Sequence, residues 1–426
     1  MSPWNVLLIT IDSLRADFVG CCGGDTGESE RPTPCLDEFA SKGVVFTTAC
    51  AQAPYTWGSF AALFTSEYAS TACTSRGILR TGFPTIAEVF AANGYETVGY
   101  HSNPFLSRVF GFDRGFETFD DSLFPWGKHL VPSRYYRLMS RFTRLVRREP
   151  YLPAEGINHK ALSWLRRGHR PFFLWLHYMD THGPYQPGKG FAYLSKYRSE
   201  RLWRKVNKTP ERITAREHEE LVSNYKKEIR YLDGKLGDFL KAYGSLGLLE
   251  ETVVVLCADH GDSFNEHGTY SHPRLLYDEL IRIPLLIRLP EAKQGKVAPN
   301  PVGLIDVFPT LVELLGLDRS EKSPVGRSLV PLIEGEVDAG TFEWVISEAT
   351  PDEEYDHLCI RTREWKWIVD EKQRKHELYN LVKDPKELSN LASGKVDMAK
   401  KLDRLLQSHR PRLVEPSGSS GTGSIY

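Results

Sequence analysis

Residues 4–11 read WNVLLITI, an unbroken apolar run that closes on Asp12. A membrane helix needs about 20 apolar residues, and this run falls far short. It also lacks the polar alternation of a half-exposed strand, so it predicts a strand covered on both faces. ETVGY (96–100), PFFLWLHY (171–178), TVVVLCA (252–258) and IPLLIRL (283–289) repeat the pattern. Helical stretches lie between them. Thr33-Pro34 opens one that stops at Gly43, and Thr85 with Glu88 offers a capping box before another ending at Asn93-Gly94. Longer helical patterns run over 212–247 and 303–316. Strands alternating with helices predict an α/β fold with a mostly parallel central sheet, and ligands in such sheets sit at the carboxyl ends of the strands.

Reactive groups cluster at those ends. Asp12 follows its strand directly, and Asp259-His260-Gly261 follows residues 252–258. Thr56 stands just before a helical stretch, TWGSFAALFTS, and His177, Asp180 and His182 follow residues 171–176. Two carboxylates and an imidazole at neighbouring strand ends make a mixed oxygen and nitrogen site for a divalent cation. A helix N-terminus beside it would seat a phosphate or sulfate, and a hydroxyl there could act as nucleophile. Taken singly, each residue has a blander role: an aspartate ends a turn, a threonine caps a helix, a histidine pair fills a core.

The joint pattern carries more. ITIDSLRADFVG (9–20), APYTWGSFAALFTS (53–66), NGYETVGYHSNPFLSRVFGFDRGFETFDD (93–121), HYMDTHGPY (177–185), ADHGDSFNEHG (258–268), LYDELIRIPLLIR (276–288) and LIDVFPTLVELLG (304–316) follow one another. In this order they resemble the successive blocks of the sulfatase family, and HELYNLVKDPKELSNLA (376–392) resembles its C-terminal signature. The family belongs to the alkaline phosphatase superfamily. The resemblance implies an alkaline-phosphatase-like sandwich with a small C-terminal antiparallel subdomain. By position it makes Asp12, Asp259, His260 and Thr56 metal ligands, and Thr56 the nucleophile as well. His182 and His272 become catalytic contacts to the oxyanion or leaving group, with His177 and Ser59 as substrate contacts.

The chain departs from the family at the nucleophile. Sulfatases carry Cys or Ser in a C/S-x-P-x-R setting that is oxidised to formylglycine, whereas here Thr56-Trp57-Gly58-Ser59-Phe60 has neither the proline nor the arginine. No formylglycine is expected. Cys73-Thr74-Ser75-Arg76 resembles the motif superficially and lies too far along to replace it. A threonyl ester must be released by water attacking the central atom, which is familiar chemistry at phosphorus. The expected activity is therefore hydrolysis of a phosphodiester or phosphonate monoester. Sulfate ester hydrolysis, phosphotransfer by the same threonine and a non-catalytic binding protein are the rivals. Ser13 occupies a position where many relatives have an acidic ligand. One ion is thus expected, manganese or zinc ahead of magnesium or calcium because a histidine is among the ligands. Asp180, His182 and His272 would have to supply any second ion's site, at a spacing unlike that of two-metal relatives.

The bulk properties fit a large globular enzyme. The chain has 426 residues, 41% hydrophobic, with formal net charge −1. This balance does not favour nucleic acid; the expected substrate is a small-molecule, glycan-linked or lipid-linked ester, and the oligomeric state is left open. The seven cysteines are odd in number and include no CxxC, so reduced thiols are expected. No basic region precedes the first apolar run, which reads as a strand rather than an export signal, and the expected location is cytoplasmic. Residues 1–340 form the expected catalytic domain, with insertions near 126–160 and 188–215. Within the first, Arg134, Arg137, Arg141, Arg144 and Arg148 alternate with Tyr135, Leu138, Phe142 and Leu145. This basic amphipathic helix is read as packed on the domain, membrane-surface contact through 134–148 being the less favoured reading. FEWVISEA, HLCIRT and EWKWIVD then predict antiparallel strands, and 395–408 a last helix, in a subdomain spanning 341–412. The apolar-poor tail 413–426 is expected to be disordered.

Overall fold

The structure is a computed structural model that describes residues 4–23, 32–121, 151–168, 171–186, 193–290, 294–318, 324–336, 341–349 and 356–409. The central sheet contains β1 (Asn5–Ile11), β2 (Val44–Cys50), β3 (Glu96–Tyr100), β4 (Thr118–Asp120), β5 (Phe172–Tyr178), β6 (Thr252–Ala258), β7 (Leu285–Arg288) and β8 (Lys296–Gly303). Their spatial order is β8-β2-β7-β6-β1-β5-β3-β4, with Arg282–Ile283 pairing on β2. All pairs along that path are parallel except those of β7, which runs antiparallel between β2 and β6. β1 sits in the middle, and Val6, Leu7, Leu8, Ile9 and Ile11 are all fully buried, as its unbroken apolar run requires.

Helices α1 (Pro34–Ala40), α4 (Ala154–Leu165) and α6 (Ala215–Ser245) pack together as one group. Another contains α2 (Thr56–Thr65), α3 (Ile86–Ala92) and α7 (Val307–Leu315), and the two groups sandwich the sheet. The capping box opening α3 is formed: Glu88 N donates to Thr85 Oγ1 at 3.1 Å and Thr85 N to Glu88 Oε2 at 2.8 Å. No helix among the described residues is long and apolar enough to cross a membrane.

The C-terminal residues build β9 (Trp344–Ala349), β10 (His357–Thr362), β11 (Trp365–Asp370) and β12 (Lys375–Asn380), an antiparallel meander. Its last helix, α8 (Val396–His409), buries Ala399, Leu402 and Leu406 against Ile346, Leu358, Trp367 and Leu378. Ala62 of α2 and Ile305 join the same apolar cluster, so the small sheet is docked on the large one.

Parts of both expected insertions are described. Residues 122–150, including the basic segment 134–148, lie outside the described residues, as does the tail 413–426. Within 151–160, however, α4 begins, and its Ala154, Ile157 and Ala161 are fully buried. Within 188–215, residues 193–208 form α5, whose Leu202 and Val206 are buried.

Candidate active site

Register brings the first two ligands together. Ile11 of β1 stands opposite Ala258 of β6 and, on the other side, Tyr178 of β5. The next residues, Asp12 and Asp259, therefore leave the sheet side by side; Asp12 N donates to Tyr178 O at 2.9 Å and Asp259 N to Ile11 O at 3.3 Å. Ser13, at φ 58°, then turns the chain sharply. Its N–H donates to Asp259 Oδ1 at 3.0 Å and its hydroxyl to Asp12 Oδ1 at 2.9 Å, so one residue ties both carboxylates. Thr56 reaches the same place as the first residue of α2, after an extended Tyr55. Thr56 Oγ1 lies 3.4 Å from His260 Nε2. The first amides of a helix have no intrahelical acceptor, and α2 begins at this spot.

Asp12, Asp259 and His260 each offer one ligand atom, all within 4.8 Å of one another, and all three side chains are buried. Asp259 Oδ1 accepts from Ser13 N and from His260 N at 2.8 Å, while Oδ2 has no hydrogen-bond partner among the described residues. Burial, reinforced by the charge of Asp12, pushes the Asp259 carboxyl well above its usual range. Burial also pushes Asp12 upward, but His182, His177 and His260 around it outweigh this and hold it well below the carboxylate range. His260 is lowered to about 4 by burial and by His272. Its Nδ1 is 2.8 Å from Gly261 O and serves as the donor there, which leaves the Nε2 lone pair facing Thr56. An orphaned carboxylate oxygen, a second carboxylate and a neutral imidazole nitrogen converge, and that donor set fits a divalent cation.

Two further imidazoles line the wall. The ring of His272 lies 4.7 Å from that of His260 and 5.4 Å from that of His182. His272 Nδ1 is 3.4 Å from Asp262 Oδ1, whose carboxylate also accepts from Tyr185 OH at 2.6 Å. Burial lowers the pKa of His272, but the carboxylate of Asp262 beside it overrides this and raises the group. His182 Nδ1 lies 2.6 Å from both Tyr151 OH and Gly183 O. Trp203 of α5 closes over Gly183, where an added Cβ would meet its ring at 2.3 Å.

His177 and Ser59, the expected substrate contacts, both stand behind the ligand residues. His177 is fully buried, its Nδ1 2.9 Å from Thr10 Oγ1 and its Nε2 3.3 Å from Asp12 Oδ2, so it braces the aspartate from behind. Ser59 is also fully buried and donates to Ala53 O at 2.7 Å, fastening the loop before Thr56. Asp180 accepts from Ala154 N at 3.1 Å, at the start of α4. Asn103 was missed by sequence reasoning: its Nδ2 donates to Asp12 Oδ2 at 2.8 Å. The available signal was an amide side chain three residues past the end of β3, within HSNPF. The decoy Cys73 is buried and its thiol is pushed up to about 12, by burial and then by Glu348.

Comparison with known proteins places this centre in context. A family model described as Sulfatase matches residues 4–317, and one described as N-sulphoglucosamine sulphohydrolase, C-terminal, matches residues 265–412. Arylsulfatase K of Danio rerio is 35% identical over 190 residues, 41% of this chain and 34% of that protein. The aligned part thus spans about a third of that relative's length. An arylsulfatase of Clostridium perfringens (strain 13 / Type A) is 26% identical over 457 residues, covering 92% of this chain and 91% of that protein. The crystal structure of the phosphonate monoester hydrolase of Agrobacterium radiobacter has the same fold, with TM-score 0.75, 19% identity, and 96% and 95% of the two chains covered.

Proposed function

The chain belongs to the sulfatase family of hydrolases, and on that premise we propose that it cleaves a phosphodiester or phosphonate monoester through a covalent Thr56 intermediate. The observation that carries this reading is the Thr56 hydroxyl, 3.4 Å from His260 Nε2 beside an orphaned oxygen of Asp259. A formylglycine hydrate can expel sulfate by collapsing to an aldehyde. Threonine has one oxygen on Cβ and cannot, so its ester must be opened by a second attack at the central atom.

Asp12, Asp259, His260 and the Thr56 hydroxyl would hold the cation, with manganese or zinc favoured by the nitrogen ligand. Bound there, a divalent ion supplies Lewis-acid charge against the developing negative charge of the reacting group. The protein's own groups do the rest. Thr56 gives up its hydroxyl proton to solvent before turnover; its Oγ1 then attacks the phosphorus, and the leaving oxygen departs on the opposite side. The amides at the start of α2 and the His182 ring face the equatorial oxygens, where they stabilise charge as it builds. His272, its Nδ1 facing the Asp262 carboxylate at 3.4 Å, delivers a proton from Nε2 to the leaving oxygen. Left neutral, the same nitrogen then takes a proton from water as the water attacks phosphorus, and the Thr56 oxygen departs as the alkoxide that starts the next cycle. A cytoplasmic site of action belongs to the same reading, supported by seven unpaired cysteines.

The test compares wild type with Thr56→Ala, with manganese present, on aryl sulfate, aryl phosphate, bis-aryl phosphate and aryl phosphonate esters. The diester or phosphonate is expected to turn over fastest, and the variant to lose at least about a thousandfold in kcat. Turnover of the sulfate alone would defeat the choice of phosphorus. Full activity in the variant would defeat the nucleophile.

A further inference from the structure

His272 sits on a segment that the catalytic sheet does not hold by itself. Ser271 before it has φ 64°, a left-handed conformation that a serine adopts only when its surroundings impose it. Pro273 after it fixes its own φ, and Leu275 N donates to Pro273 O at 2.8 Å, making a tight turn. The position of the Arg274 peptide is therefore passed directly to His272.

What fixes that peptide comes from the C-terminal sheet. His357, at the start of β10, donates from Nδ1 to Arg274 O at 2.9 Å, and its Nε2 lies 3.2 Å from Asp370 Oδ2 of β11. Downstream, Asp278 N donates to Glu387 Oε2 at 2.6 Å. The Asp278 carboxylate accepts from Arg361 Nη2 at 2.9 Å and from Lys366 Nζ at 2.8 Å, and Lys366 also lies 2.9 Å from Glu387 Oε1. Lys366 is fully buried. Between the two anchors and just past the second, Leu276, Leu280 and Ile281 pack on Cys359, Ile368, Tyr379 and Leu381. The apolar partners of this segment in that cluster are thus all C-terminal residues.

We infer that His357, backed by Asp370, is a positioning residue that holds His272 for proton delivery, so that the C-terminal sheet is a working part of the catalytic centre. The inference rests on the acid role of His272 proposed above and adds a residue that acts through it, 85 positions along the chain from it. Asp278 with Lys366 and Glu387 fastens the far end of the same segment. Displacing the Arg274 peptide moves His272 away from the leaving oxygen, and the penalty falls on substrates that need the proton most.

The experiment uses the full chain with manganese and a series of aryl phosphonate monoesters graded by leaving-group pKa. His357→Ala is expected to lower kcat/KM about 30-fold or more for the poorest leaving group and less than about threefold for 4-nitrophenol. His357→Asn, whose amide nitrogen falls where Nδ1 stood, is expected to restore the wild-type slope; His357→Gln, whose amide falls at Nε2, is not. This pair keeps the test open if the alanine variant fails to fold. In a His272→Ala background, His357→Ala should cause no further loss. A uniform loss across the series, or independent losses in the double variant, overturns the inference while leaving His272 as the acid. If His272→Ala itself leaves the slope unchanged, the acid assignment fails and takes the inference with it.

Discussion

Asp259→Asn is expected to stabilise the metal-stripped protein while abolishing its response to metal. In the wild type, ligand oxygens of Asp12 and Asp259 lie within 4.8 Å of each other in a buried site. Two negative charges at that separation repel by about 3.5 kcal/mol at an effective dielectric of about 20. The asparagine keeps an acceptor for the Ser13 and His260 amides. Its NH2 group takes the place of Oδ2, which has no hydrogen-bond partner among the described residues and lies 3.5 Å from His260 Nε2, so repulsion is replaced by a donor beside that ring nitrogen. A stabilisation of about 2–3 kcal/mol is expected in EDTA, smaller than the full Coulomb figure because the site relaxes and takes up protons. Manganese at about a hundred times its Kd should add about 2.7 kcal/mol to the wild type and nothing to the variant. Urea unfolding followed by tryptophan fluorescence, with EDTA or with manganese, gives all four values. The reasoning is refuted if the stripped variant is less stable than the stripped wild type, or if manganese leaves the wild type unmoved.

Two further outcomes follow from the surroundings. Asn103→Ala should weaken metal affinity by about 10–100-fold, the range typical of residues that orient ligands, because Asp12 Oδ2 loses its 2.8 Å donor; isothermal titration with manganese reads it. Asp278→Asn strips the main partner of Arg361 and Lys366 and should destabilise by about 3–5 kcal/mol at pH 7. Burial pushes Asp278 up, but Arg361 and Lys366 hold it well below the usual carboxylate range. Its contribution is thus present above the ordinary aspartate pKa and lost as pH falls toward the folded value. The wild type's thermal midpoint should drop more steeply below about pH 4 than that of the variant.

The residues that declared themselves in the sequence are those whose role follows from their place at an element's end. Asp12, Thr56, Asp259 and His260 all sit where a strand stops or a helix starts, and register alone converges the two aspartates. Supporting residues gave no such signal. Asn103, Tyr151 and Asp262 act through hydrogen bonds between separate loops, and nothing in local sequence specifies those. His177 lies one residue before the end of β5: paired with Thr10 in the parallel ladder, it stands one residue back from Asp12 in the sheet. Among the strands, β8 escaped notice because Pro299 and Pro301 interrupt it; prolines are tolerated there because it is an edge strand with a register shift between Ala298 and Pro301. The sequence KHELYN of β12 was legible as part of a family signature before it was legible as a strand.

The bond from Ser13 to Asp259 joins residues 246 apart in the chain. Emerging from the ribosome, the first half of the protein carries Asp12 and Thr56 but neither Asp259 nor His260. β1 must wait, open along one edge, until β6 is made. Contacts of such long range form slowly and leave hydrophobic strand edges exposed meanwhile. Cation capture therefore comes late in biogenesis, and a chain truncated before residue 252 would lack both the ligands and the strand that covers β1.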